Sequence, residues 1–147
     1  MRINLLCIGK TDDKKITELI SYYIARLPKH WNFEMIEIPD AKNARNLSSD
    51  LLKKEEAKLF FNHIENTDLV ILLDEKGKEF TSREFAQKLN YYQNNSIKKV
   101  CFLIGGAYGF SDEMYNRANE KLSLSKMTFT HQMIRLFFVE QIYRADQ

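Results

Sequence analysis

The sequence predicts an α/β fold: a mostly parallel sheet with helices on both faces, in a single domain spanning residues 1–147. Three observations point there. Short apolar runs alternate with longer amphipathic stretches, strand then helix, four times over. The runs in "DLVILLDE" and "KKVCFLIGG" are apolar without interruption, the pattern of strands covered on both faces. No internal repeat or low-complexity linker divides the 147 residues, a length that fits one domain.

In chain order, "INLLCIG" is short, partly β-branched and stopped by Gly9, so it reads as a buried strand. A helix follows in "DDKKITELISYYIARLP". There Ile16, Leu19, Ile20, Tyr23, Ile24 and Leu27 share one face, Asp12 and Asp13 favour the N-terminus, and Pro28 is expected to end it. "FEMIEIP" is the second strand, closed by Pro39. "DAKNARNLS" reads as a mobile loop, and "SSDLLKKEEAKLFFNHI" as a helix with Leu52, Leu59, Phe60 and Ile64 inward. The third strand runs from Leu69 to Leu73. Thr81 and Glu84 have the spacing of a capping box that opens the third helix. "KKVCFLIGG" is the fourth strand, and Ser111, Asp112 and Glu113 open the fourth helix.

The rhythm then breaks. "LSLSKMTFT" is polar and apolar by turns. "HQMIRLFFVEQIYRA" carries Met133, Ile134, Leu136, Phe137, Phe138, Val139, Ile142 and Tyr143, which wrap beyond one helical stripe. Either the monomer's own core or a homodimer interface must cover the remainder.

Composition narrows the function classes. A hydrophobic content of 44% with 12% aromatics supports a real core. No segment approaches the apolar stretch of about 20 residues that a membrane helix needs, and "MRINLLCIGK" is too short in its apolar part for a secretory signal, so a cytoplasmic protein is expected. Cys7 and Cys101 read as reduced core cysteines. His30, His63 and His131 are scattered without metal-ligand spacing, and no metal is expected. A formal charge of +2 does not announce a nucleic-acid partner. Lys14–Lys15, Lys42 with Arg45, and Lys53–Lys54 are either local phosphate contacts or solvated helix faces.

Two strand ends carry candidate chemistry. In "LIGGAYGFSDE", Gly105, Gly106 and Gly109 follow a buried strand, where a backbone free of Cβ atoms can approach a ligand. The spacing matches neither the dinucleotide fingerprint nor the phosphate-binding P-loop, and Asp112 with Glu113 would repel an anion, so a plain turn and a ligand site both stay open. Asp74 and Glu75, ahead of Gly77, are acid–base candidates that read more simply as solubilising loop residues. Ser123 and Ser125 lack a nucleophile elbow, which argues against a hydrolase.

Taken together and in order, "LLDEKGKEFTSREFA", "LIGGAYGFSDE" and "LSLSKMTFTHQMIRLFFVEQIYRA" resemble the SPOUT-class, α/β-knot methyltransferases, and within that class the RlmH family of ribosomal large-subunit pseudouridine methyltransferases. The similarity extends to "INLLCIGK" and "IEIPDAK". The resemblance implies an S-adenosyl-L-methionine (AdoMet)-dependent homodimer that methylates N3 of a pseudouridine in large-subunit rRNA within the ribosome, with a C-terminal deep trefoil knot in its fold. A tRNA methyltransferase of the same class and a non-catalytic RNA- or nucleotide-binding α/β dimer are the alternatives.

On the same resemblance the cofactor contacts are Leu73, Gly105, Leu124, Ser125, Lys126, Met127, Thr128 and Phe129. Leu73, Leu124 and Met127 suit the faces of adenine, although Met127 and Phe129 taken singly read as core residues. Methyl transfer from a sulfonium chiefly requires alignment of the acceptor, and the N3 proton must leave. Arg144 is the catalytic candidate, a cation that orients the base or stabilises its anion. It reads equally as an ion-pair partner of Glu140. Family members continue past "YRA" into a short Tyr-His tail, whereas this sequence ends at Gln147, and no general base is assigned.

Overall fold

A computed structural model describes all of residues 1–147. Five parallel strands, β1 (Arg2–Ile8), β2 (Glu34–Ile38), β3 (Leu69–Glu79), β4 (Lys99–Ile104) and β5 (Glu120–Ser123), stand in the order β2-β1-β4-β3-β5. The helices are α1 (Lys14–Ile24), α2 (Ser49–Phe61), α3 (Ser82–Asn94), α4 (Asp112–Arg117) and α5 (His131–Ala145). None is long and apolar enough to cross a membrane.

Strand pleating divides the core in two. Leu5, Phe102 and Ile71 lie in register across β1, β4 and β3, and they meet Ile20 of α1, Phe85 and Leu89 of α3, and Phe138 and Val139 of α5. Their neighbours Leu6, Leu103 and Leu72 face the opposite way, onto Ala57 and Phe60 of α2 and Met114 of α4. Both faces are therefore covered, as the unbroken apolar runs require.

Helix starts follow the chemistry read from the sequence. Asp13 caps α1, Ser111 caps α4, and Thr81 and Glu84 exchange backbone bonds in a capping box before α3. Helix α1 ends sooner than Pro28 alone suggested. Its C-cap is Ala25, and tighter i to i+3 bonds carry the chain through Leu27, whose place before proline disfavours the α region. The segment expected as a mobile loop contains a 3-10 turn at Ala44–Asn46.

Strand β3 departs most from expectation. It does not end in a loop after Leu73 but continues to Glu79. Leu122 of β5 pairs with Leu73 and again with Lys78, so residues 74–77 swing out of register and return. Gly77 sits at the return. A Cβ there would lie 2.7 Å from the backbone of both Lys121 and Leu122, so only glycine admits this crossing. Strand β5 itself was not anticipated, because four residues with one core leucine carry no readable period.

Helix α5 packs against both α1 and α3 over the sheet. Leu136, Phe138, Val139 and Ile142 are buried in the core, while Tyr143 meets Tyr23 at 5.3 Å between ring centroids. The flanking helices thus cover most of the excess apolar surface read from the sequence, and Phe137 stays exposed.

Gly77→Ala should destabilise the fold by about 1–3 kcal/mol, read by urea denaturation, because the obstructing atoms are backbone and cannot rotate away. A second expectation follows from the thiols. Burial pushes Cys7 up from 9.0 to about 11 and Cys101 to about 12, so the folded chain holds more protons than the unfolded chain between those values. The thiols' contribution to stability should be constant below pH 9 and be lost as pH rises toward 11, and neither native thiol should react with Ellman's reagent at pH 8.

Candidate functional site

At the carboxyl end of the sheet three backbone segments enclose a cavity of about 510 Å³, within the size range of small-molecule sites. The end of β3 supplies Leu73, Asp74, Glu75 and Lys76. The turn after β4 supplies Ile104 to Phe110, and the segment after β5 supplies Leu124, Ser125, Met127, Thr128 and Phe129. Tyr115 of α4 and His131 and Ile134 of α5 complete the wall.

Each segment holds its shape for a local reason. In the glycine turn, Gly109 has φ +82 and donates its N–H to Gly106 O at 3.1 Å, and Gly105 passes so close to Gly109 that a Cβ would sit 3.2 Å from its carbonyl. After β5, Ser123 Oγ donates to Ser125 O at 2.8 Å and Met127 N donates to Ser125 Oγ at 3.0 Å, a pair of serine-built turns. Thr130 then caps α5.

The expected contacts Leu73, Gly105, Leu124, Ser125, Met127, Thr128 and Phe129 converge on this one cavity. Lys126 does not line it and is exposed. Met127 is 75% exposed and Phe129 41%, so both stand at the rim, and neither is the core residue its type suggested. Arg144 lies elsewhere, on the last turn of α5, exposed and paired with Glu140 at 2.6 Å, which raises its pKa further. The basic candidates are dispersed. Lys42, Arg45 and Lys54 are exposed, while Lys53 stands 3.7 Å from Asp50, in a hollow shared with Asp112 and Glu113.

Sequence reasoning undervalued the polar wall. Asp74 accepts the Tyr115 hydroxyl and the Lys76 N–H at 2.9 Å. Burial, then the hydrogen bond to Asp74, pushes the Tyr115 phenol up to about 12, so it remains a donor at neutral pH. In a cavity whose other polar side chains include Lys76, Tyr115 and His131, Asp74 and Glu75 are the carboxylates. The signal was their place directly after a buried parallel strand. A smaller hollow of about 260 Å³ lies across the Leu122, Leu124 and Phe129 wall, bordered by Phe80, Phe137 and Gln141.

The rim is anchored to the far side of the sheet by the first turns of α5. Arg135 is 2% exposed and donates to Ile8 O at 2.8 Å and to Thr11 Oγ1 at 2.9 Å, with Glu37 at 3.3 Å. One turn earlier, Gln132 bonds both Lys10 O and Asp12 N.

All 147 residues match the family model described as "Predicted SPOUT methyltransferase". A protein of Cytophaga hutchinsonii named ribosomal RNA large subunit methyltransferase H is 54% identical over 145 residues, 99% of this chain and 93% of that one. Its namesake in Christiangramia forsetii is 50% identical over 99% of this chain and 92% of that one. In structure, the chain resembles a methylase family protein from Neisseria gonorrhoeae with a TM-score of 0.53 at 14% identity, over 97% of this chain and 80% of that chain, a likeness of fold.

Arg135→Met keeps the length of the side chain but removes its donors. It should cost about 1–3 kcal/mol in urea denaturation, because Ile8 O loses its charged donor in a partly buried setting.

Proposed function

The chain belongs to the SPOUT methyltransferase family, and from that premise we propose that it transfers a methyl group from S-adenosyl-L-methionine to N3 of a pseudouridine in large-subunit ribosomal RNA, working without metal in the cytoplasm as a homodimer. The convergence of Leu73, Gly105 and the segment from Leu124 to Phe129 on one cavity carries the reading.

The residues present fit the donor. Leu73, Leu124 and Met127 offer apolar surfaces for a purine, and Gly105 and Gly106 open the main chain to close approach. Asp74 and Glu75 supply negative charge toward a cationic ligand, outnumbering Lys76 beside them. When bound, AdoMet supplies an electrophilic methyl group on a sulfonium. The protein's own task is then to align the acceptor and exclude water.

The acceptor side draws on the second copy. Arg144 stands about 20 Å along α5 from His131, at about 1.5 Å per residue, a separation that supports the reading in which it reaches a base beside the cavity of the partner subunit. There its guanidinium would stabilise the anion left when N3 loses its proton. Phe137, exposed on the same helix, is suited to the dimer contact. Lys42, Arg45, Lys53 and Lys54 are proposed phosphate contacts. The tight passage of Gly77 over β5 supports the further reading that the chain beyond β5 is threaded as a trefoil knot.

Purified protein incubated with radiolabelled AdoMet should label large-subunit rRNA in ribosomes that lack the modification. It should leave tRNA unlabelled, and it should lose activity when the target pseudouridine is replaced by uridine. Label in tRNA would reassign the substrate, and absence of any saturable calorimetric heat with AdoMet would overturn the enzymatic reading.

A further inference from the structure

Glu56 is the one acidic residue of α2 that the fold buries. It is 6% exposed, beside Ala57 and Phe60 on the face packed against the sheet, and it takes part in none of the molecule's ion pairs. A carboxyl group in such a place is costly unless something there needs it. Its surroundings raise its pKa, first through burial and then through the charge of Asp40, whereas the neighbouring Gly106 backbone lowers it. Asp40 stands beside Gly9, its Oδ1 3.2 Å from where a Cβ of that glycine would be.

The carboxyl group presses directly on the glycine turn. A Cβ on Gly106 would clash with Oε2 and lie 2.6 Å from Oε1. Gly106 lines the cavity while Glu56 does not, so the side chain meets the turn from behind. The turn has little of its own to hold it. Gly105, Gly106 and Gly109 have no side chains to pack, and the pairing of Gly106 with Gly109 is the only bridge within it.

We propose that Glu56 is a positioning residue for the methyl donor: by bracing Gly106 from α2 it fixes the 105–109 turn in the shape that forms one wall of the cavity. The inference rests on the AdoMet reading of that cavity. Glu56 touches neither donor nor acceptor, and its effect passes through the backbone of Gly106. The same contact means that a side chain at position 106 would have to displace the Glu56 carboxyl group, although the φ of Gly106 is not positive.

The test uses the full chain with Glu56→Ala, Glu56→Gln and Gly106→Ala. In the free protein, amide hydrogen exchange at residues 105–110 should quicken in Glu56→Ala and stay near wild type in Glu56→Gln, which keeps an acceptor oxygen. With AdoMet, calorimetry should show Kd weakened about tenfold in Glu56→Ala and less than about threefold in Glu56→Gln, the scale of one buried hydrogen bond to a charged group. The KM for AdoMet should follow Kd while kcat at saturating donor holds. Gly106→Ala, which displaces the carboxyl group by steric clash, should reproduce the loosening if Glu56→Ala does not fold, and the double variant should be no worse than the poorer single one. Wild-type exchange and wild-type Kd in Glu56→Ala would overturn the proposal, as would equal losses in the Ala and Gln variants. A wild-type protein that gives no heat with AdoMet would instead defeat the donor reading, and the exchange data would still report on the brace.

Discussion

The close passage of Gly77 across the backbone of Lys121 and Leu122 is the contact on which the rest of the site depends. It lets β3 pair with Leu122 twice, once before and once after residues 74–77 swing out. That excursion delivers Asp74, Glu75 and Lys76 to the cavity. It also seats the start of β5, where Asn119 exchanges bonds with both the N–H and the carbonyl of Val70, so the segment from Leu124 to Phe129 leaves the sheet beside the glycine turn. A side chain at position 77 would hold the two strands apart and spread the segments that now meet.

What holds the far end of that segment is polar, and its guanidinium is buried. Arg135 and Gln132 tie the first turns of α5 to the chain after β1, 120 or more residues earlier. A buried guanidinium is a poor source of net stability compared with an apolar side chain of similar size. It is a good source of register, because its donors accept only one arrangement of Ile8 O, Thr11 and Glu37. The apolar stripe of α5 presses it onto the sheet, and these bonds set how far along the sheet it sits, and with it His131 and Ile134 on the cavity wall.

Much of this was legible in the sequence, and what was not had physical reasons. The buried strands β1, β3 and β4 announced themselves by nearly continuous apolar runs, as parallel strands covered on both faces require, with Asn4 of β1 the buried polar exception. The caps at Asp13, Thr81 and Ser111 were visible because an orphaned helix N–H has few possible side-chain partners. Strand β5 was silent because Leu122 is the one apolar residue of its four to reach the core. The cavity contacts came from the order of three motifs and not from any single residue, and they fell together except for Lys126, whose side chain points out of a serine-built turn. Glu56 was invisible for the opposite reason to β5. Within "KKEEAK" it looks like part of a solvated charge run, and nothing local separates it from Glu55, which pairs with Lys58 at the surface. Only the placement of Gly106 behind it reveals its role.

The central claim is that one cavity, walled by the end of β3, the glycine turn and the segment after β5, holds the methyl donor. A crystal structure of the protein grown with S-adenosyl-L-methionine tests it most directly. The account predicts density for the purine between Leu73 and Leu124, with the sulfonium beside Gly105. Donor density in the smaller hollow bordered by Phe80 and Phe137, or a complex in which residues 124–129 stand away from the glycine turn, would contradict it.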